Sequence, residues 1–188
     1  GIVPIDVWHY QTTGTTDDGG TTIKEIFGSA VFDNPKPVSL VQRMLSLSTN
    51  NSGEHIVLDC FAGSGTTAHA VLAQNTEDGG KRRFILVECE EYADKITAER
   101  VRRVIKGVPA AKDEALKKGL GGTFSYFELG KAIEMESMLD GKDLPTYKEL
   151  ARYLFYTATG EEFDGNAVDA KKHFIGESRN YQVFLFYE

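Results

Sequence analysis

Apolar positions along the chain change their period several times, and each change marks an element. After Asn34-Pro35-Lys36-Pro37, with Pro37 placed where a helix can begin, Leu40, Val41, Met44, Leu45 and Leu47 recur at helical spacing. Ile56-Val57-Leu58 reads as a short strand leading into Asp59. A Gly-rich turn follows, then a helix from about Thr66 on which Ala68, Val71 and Leu72 share a face. Polar residues 75–83 read as a connector rich in turn formers. Phe84-Ile85-Leu86-Val87 is a second apolar strand, ending at Glu88, and residues 92–106 form a second helix with Gly107 as its C-terminal cap. Strand, helix, strand and helix at this spacing make a βαβ unit, which implies a parallel sheet covered by helices.

On either side the pattern is weaker. Residues 2–10 read as extended, and the Thr, Asp and Gly of residues 11–20 read as a loop, because such a run offers turn chemistry and no apolar face. Beyond Pro109, Thr123 to Leu129 alternates like an edge strand and Lys131 to Asp140 reads as a short helix. Tyr147 to Thr157 is a further helix and Tyr181 to Glu188 a last strand. The chain stops inside that strand with no closing turn, as expected of a truncated end. The expected organisation is an extended segment and loop over residues 1–34, a βαβ half-domain over 35–109 and a small α+β extension over 110–188.

Composition narrows the function classes. The 188 residues fit one domain of about 100–200 residues, able to bury roughly 70% of its unfolded surface. Apolar residues at 41% and charged residues at 26% are ordinary for a globular chain. No apolar run approaches the ~20 residues that span a bilayer, and no secretory leader opens the sequence, so a membrane protein is not expected. Twenty-one Lys and Arg against 28 Asp and Glu give a net charge of −7, which argues against this chain alone being the main grip on nucleic acid. Cys60 and Cys89, placed inside apolar strand-like segments, fit a reducing cytosol better than a disulfide framework. Two cysteines and four scattered histidines give no metal-ligand spacing.

The chemistry concentrates in Asp59-Cys60-Phe61-Ala62-Gly63-Ser64-Gly65-Thr66-Thr67, between a strand and a helix. Glycines there let the backbone turn sharply and approach a ligand, and the helix behind points unpaired N–H groups at a carboxylate or phosphate. Glu88, closing the next strand, is placed to accept the hydroxyls of a ribose. A Walker-type phosphate loop needs a Lys after the last Gly, where Thr66 stands. Gly63-Ser64-Gly65-Thr66-Thr67-Ala68 fits the loose dinucleotide pattern, and a structural turn with no ligand is the bland alternative. Asp59 favours a third ligand: a carboxylate at that strand end suits a cationic amino group and repels a pyrophosphate. An ammonium, a carboxylate and a ribose together describe S-adenosylmethionine.

These residues resemble motif I of the amino-group DNA methyltransferases, commonly Asp-x-Phe-x-Gly-x-Gly-Thr-Thr. Phe32-x-x-Pro35-Lys36-Pro37-x-x-Leu40 resembles motif X, and the order X, I, then Glu88 as motif II is that of the β class. Longer stretches resemble the modification (Mod) subunits of type III restriction–modification systems. They are Asn75-x-x-Asp78-Gly79-Gly80-x-Arg82-x-Phe84-Ile85, residues 149–160, Phe174-Ile175-Gly176 and Leu185-Phe186-Tyr187.

The resemblance implies a Rossmann-like α/β fold binding S-adenosylmethionine, and, for the whole enzyme, methylation of the adenine N6 amino group in double-stranded DNA after flipping of the base. It implies a restriction (Res) subunit and a second copy of the chain as partners. Carried over residue by residue, Asp59 sits near the methionine amino group and the Phe61, Ala62, Gly63, Ser64, Gly65 and Thr66 turn wraps the methionine portion. Glu88 takes the ribose hydroxyls, Lys36 pairs with the methionine carboxylate and Pro37 starts the helix beneath it. The family's catalytic Asp/Asn-Pro-Pro-aromatic motif is not found: Asp143-Leu144-Pro145-Thr146-Tyr147 reads better as a helix start. That motif and the target-recognition region are expected upstream of residue 1, so the chain alone is expected to bind cofactor weakly or not at all and not to methylate DNA.

His69, one turn into the helix, reads as structural, and Asp6-Val7-Trp8 as either pocket lining or a plain strand start. Lys81-Arg82-Arg83 is a candidate phosphate contact, while Arg100-x-Arg102-Arg103 reads as a solvated helix face. Two rival functions stand beside the methyltransferase: an NAD-binding oxidoreductase domain using the same turn, and a non-catalytic interaction fragment with an exposed sheet edge.

Overall fold

The structure, a computed structural model, describes residues 7–130 and 144–187. The described residues fall into two compact units, one up to Tyr126 and one from Phe127.

The first unit opens with helices where the composition pointed to a loop. A short α1 spans Tyr10–Thr13 and α2 spans Thr16–Phe27. A capping box explains α2: the Thr15 hydroxyl accepts from the Asp18 N–H at 3.3 Å, and the Asp18 carboxylate accepts from the Thr15 N–H at 2.7 Å. Gly19, counted as a turn former, is there for contact instead. It is buried against the Pro35 carbonyl, which a Cβ at this position would overlap.

Pro37 caps α3 (Val38–Ser48) as its fixed φ suits. Then come β1 (Ile56–Asp59), α4 (Thr66–Asp78) and β2 (Arg83–Leu86). The turn formers of residues 75–78 thus belong to the helix, whose end is set by Gly79 at φ 71°. β1 and β2 pair in parallel, Val57 beside Phe84 and Asp59 beside Leu86. A π-helical stretch, Ala93–Ala98, runs into α5 (Glu99–Lys106), and Asp113 caps α6 (Glu114–Lys118).

Alternation along the two strands sorts their side chains. Val57, Phe84 and Leu86 pack toward the cores built by Leu45, Ala70 and Val71 and by Ala68, Leu72, Val101 and Val104. On the other face Ile56, Leu58, Ile85 and Val87 stay at least half exposed. The mixed helix and strand architecture with a small parallel sheet follows the expectation.

Residues 123–129, expected as an edge strand, have no regular structure. Among the described residues no strand pairs with them, and two of their aromatic residues serve the helix instead: Phe124 packs on the first core, and the Arg102 guanidinium lies 6.0 Å and 5.8 Å from the ring centroids of Phe124 and Tyr126. The helix expected over residues 131–140 lies outside the described residues.

In the second unit α7 spans Tyr147–Thr159, begun by a Thr146–Glu149 capping box, which is the helix start read from Asp143-Leu144-Pro145-Thr146-Tyr147. A 3-10 turn (Ala170–Lys172) leads into β3 (Phe174–Glu177), which pairs antiparallel with β4 (Gln182–Phe184). The last strand is therefore shorter than expected. Leu150, Ala151, Phe155, Ile175 and Leu185 form this unit's core. Among the described residues no helix is long and apolar enough to cross a membrane.

Candidate functional site

The turn between β1 and α4 is held from every side. The Asp59 carboxylate accepts from the Phe61 N–H at 3.1 Å and from the Thr67 hydroxyl at 2.5 Å, tying the strand end to the first turn of α4. The Ala62 N–H donates to the Val87 carbonyl at 3.0 Å, continuing the sheet ladder past β2. Gly63 and Gly65 take φ of 52° and 77°, a region that side chains rarely adopt, and Gly65 caps α4 from it. The Thr97 hydroxyl donates to the Gly63 carbonyl at 2.5 Å. The first N–H groups of α4 have no acceptor within the helix and face the turn's end of it with the positive pole of the helix dipole.

Glu88 lies two residues beyond β2 and closes onto the same turn. Its carboxylate accepts from the Gly63 N–H at 2.7 Å, from Cys89 N–H at 2.9 Å and from Glu90 N–H at 3.1 Å. Partial burial on its own would raise its pKa, and these backbone donors outweigh that, holding the carboxyl below its ordinary value. Glu88 is thus an anion at neutral pH that already grips one edge of the turn.

The other expected residues are placed unevenly. Phe61 is 90% exposed, while Ala62, Ser64 and Thr66 are buried. Pro37 is buried at the cap of α3. Lys36 is exposed, and it is its backbone carbonyl that meets the turn, accepting from the Thr66 hydroxyl at 3.2 Å. Asp6 lies outside the described residues. Cys60 and Cys89 sit just past the strand ends and are exposed, not inside strands as the apolar context indicated. Among the described residues no group of His, Cys, Asp and Glu could hold a metal ion.

Two basic clusters depart from their readings. Arg82 is not free for a phosphate: its side chain is 1% exposed, donates to Thr49 and Asn75, and forms a paired contact with Asp78 at 3.0 and 2.8 Å. Arg102 and Arg103 do pair at the surface, with Asp94 and Glu99. Arg100, read with them as solvated, is fully buried. It donates to the Ser64 carbonyl and hydroxyl and to the Thr66 hydroxyl, while His69 accepts as the structural histidine expected.

Residues 2–99 match a family described as DNA methylase. The chain belongs to that family. Over 149 residues this DNA methylase chain is 37% identical to the Mod subunit of the type III restriction–modification enzyme StyLTI of Salmonella typhimurium, a match covering 72% of the chain and 22% of the relative. It is 31% identical over 150 residues to the Mod subunit of the type III enzyme EcoPI of Escherichia phage P1, covering 72% of the chain and 23% of the relative. The type II methyltransferase M.KpnI of Klebsiella pneumoniae is 42% identical over 73 residues, covering 39% of the chain and 17% of that protein. The chain therefore spans under a quarter of the length of these curated relatives.

Thr97 is the residue at this turn that motif reading passed over, and Arg100 the one it placed on a solvated face. A signal existed: Thr97, Arg100, Val101 and Val104 fall at helical spacing on one face, so Arg100 shares the inward stripe with two core valines.

Proposed function

We propose that this chain carries the S-adenosylmethionine-binding portion of a DNA adenine-N6 methyltransferase, the modification subunit of a type III restriction–modification system. The observation that carries it is the turn itself: two left-handed glycines, a helix N-terminus and the Glu88 carboxylate converge at the ends of two parallel strands. The family match and the Mod-subunit relatives support methyl transfer to a DNA amino group in the whole protein, with double-stranded DNA and a restriction subunit as its partners. A second copy of the chain as a further partner and the cytoplasm as its compartment belong to the same proposal.

In this reading the sheet is part of a Rossmann-like layer, and the open face of Ile56, Leu58, Ile85 and Val87 is where further helices of that layer would pack. The residues present fit the cofactor. Asp59 and Glu88 supply carboxylates for the amino group and the ribose hydroxyls, each already oriented by backbone donors. The first turn of α4 supplies N–H groups for the methionine carboxylate, with Pro37 starting the neighbouring helix and Phe61 exposed beside the turn. Lys36, exposed and joined to the turn through its backbone carbonyl, would pair with that carboxylate. Bound there, the cofactor supplies a sulfonium methyl to a nucleophilic nitrogen. The chain's own residues hold and orient it.

Calorimetric titration with S-adenosylhomocysteine tests this. Weak binding is expected, reduced by at least about tenfold in Glu88→Ala, since hydrogen bonds to a charged group are each worth about 1.5–3 kcal/mol. Binding that Glu88→Ala leaves untouched, or tight NAD binding in its place, overturns the assignment.

A further inference from the structure

Beneath the turn lies a cation that no anion among the described residues contacts. Arg100 is 0% exposed, and among the described residues no carboxylate pairs with it. Its donors reach the Ser64 carbonyl at 3.3 Å, the Ser64 hydroxyl at 3.0 Å, the Thr66 hydroxyl at 2.9 Å and Nδ1 of His69 at 3.2 Å, while its Nε is buried without a partner. Burial and the adjacent guanidinium hold the His69 pKa well below its ordinary value, so the ring is a neutral acceptor and brings no charge of its own. Burial lowers the Arg100 pKa to about 9, which still leaves it protonated at neutral pH. A buried charge without a counter-ion is strongly unfavourable, and hydroxyl and carbonyl acceptors offset it only in part.

The location of those acceptors decides what the charge does. Two side chains and one carbonyl of the turn are committed to the guanidinium. The N–H groups of Phe61, Ala62, Gly63 and Gly65 already donate to Asp59, Val87, Glu88 and Ala62, so what remains for a ligand is the first N–H groups of α4, with a fixed positive charge under them and the positive pole of the helix behind them. Both favour an anion, and among the described residues no carboxylate contacts Arg100 to cancel its charge.

We propose that Arg100 is the positioning residue of this turn and the buried counter-charge that makes it select a ligand bearing a carboxylate. The inference rests on the reading of the turn as an S-adenosylmethionine site.

The test uses the purified chain with Arg100→Gln and Arg100→Lys, and two readouts. Dissociation constants are measured for S-adenosylhomocysteine and for its decarboxylated counterpart, which keeps the adenosine and the amine. Amide hydrogen exchange at residues 63–67 is followed without ligand. The wild-type chain is expected to prefer the carboxylate-bearing ligand by about tenfold, and Arg100→Gln to shrink that preference to about threefold or less, since the lost term is electrostatic. Arg100→Lys keeps the charge and with it the preference, while exchange at residues 63–67 rises in both variants because acceptors lose their donors. A general loosening would weaken both ligands alike and leave the preference intact. A folded Arg100→Gln with unchanged preference and unchanged exchange overturns the proposal. If the wild-type chain binds neither ligand, exchange alone decides: a rise at residues 63–67 in Arg100→Gln supports Arg100 as the residue that sets the turn, and unchanged exchange overturns the proposal. Should neither variant fold, Ser64→Ala, which removes one acceptor and leaves the charge, must raise exchange at residues 65–67; unchanged exchange overturns the proposal.

Discussion

Arg82→Ala should lower the unfolding free energy by about 3 kcal/mol, the low end of the range found when one partner of a buried ion pair is removed, because the Arg82 side chain is sealed while that of Asp78 stays a quarter exposed. Arg82 is the knot between three segments. Its Nε donates to the Thr49 hydroxyl at 2.6 Å, just past α3, and its amino groups reach Asn75 and Asp78 at the end of α4. Asn75 answers through the backbone, donating to the Arg82 carbonyl at 2.8 Å and accepting from the Arg82 N–H at 3.1 Å. Truncation therefore leaves a threonine, an amide and a carboxylate facing a cavity at the entrance to β2. Denaturant titration reads the effect as a shift in midpoint at constant slope. A loss below about 1 kcal/mol, the typical value of an exposed pair, would show that the contact is solvated.

The same pair has an acid signature. Hydrogen bonding by Arg82 is the main reason the Asp78 carboxyl titrates at about 2, against an ordinary value of 3.8. A carboxyl depressed on folding contributes stability above its unfolded pKa and loses it as pH falls through the folded value. The contribution, on the order of 2 kcal/mol, should thus be complete at pH 5 and fade toward about pH 2. Arg82→Ala should flatten that limb of the stability curve.

The contrast between Arg82 and Arg100 shows where sequence reading reaches and where it stops. Both stood in basic clusters, and charge runs of that kind are ordinarily solvated. Arg82 is sealed by a partner four residues back, and the pair Asp78, Arg82 was legible as part of a longer resemblance without its physical meaning. Arg100 is sealed by residues more than thirty positions away in the chain, so only its place on the inward stripe of α5 could reveal it.

The βαβ unit was legible because two short apolar runs bracket a glycine turn and a helix. Each of those signals is local. α2 was hidden because its glycines and threonines read as turn formers. The capping box at Thr15 and Asp18 was a local clue that composition overrode, and the reason for Gly19 lies in Pro35, a contact no local pattern announces. β3 was missed for a related reason: four residues interrupted by Gly176 carry almost no period, and that glycine is needed because the Phe155 ring lies where a Cβ would go. Motif I gave the turn residues directly, yet it left unsaid that Ser64 and Thr66 face a buried arginine.

The two glycines of the turn should respond unequally to alanine. Both hold left-handed backbone, which a side chain opposes by about 1–2 kcal/mol. At Gly63 a new Cβ meets only the tip of the Phe32 ring at 3.3 Å, a side chain that can turn aside, so Gly63→Ala should cost little beyond that backbone term. At Gly65 the nearest atom is the Thr97 backbone carbonyl at 3.0 Å, in the π-helical stretch whose Thr97 hydroxyl also clamps Gly63. Backbone there cannot yield without moving the clamp, so Gly65→Ala adds about 1–3 kcal/mol of overpacking to the left-handed term. Gly65→Val should be worse again, because a β-branched side chain is least at ease in that region. Thermal unfolding of the three variants sets the order, and equal losses at the two positions would mean that Thr97 does not close on the turn. The asymmetry also bears on binding: displacement of Thr97 frees the Gly63 carbonyl and slackens the edge that Glu88 grips, so Gly65 variants should lose S-adenosylhomocysteine more completely than their stability alone accounts for.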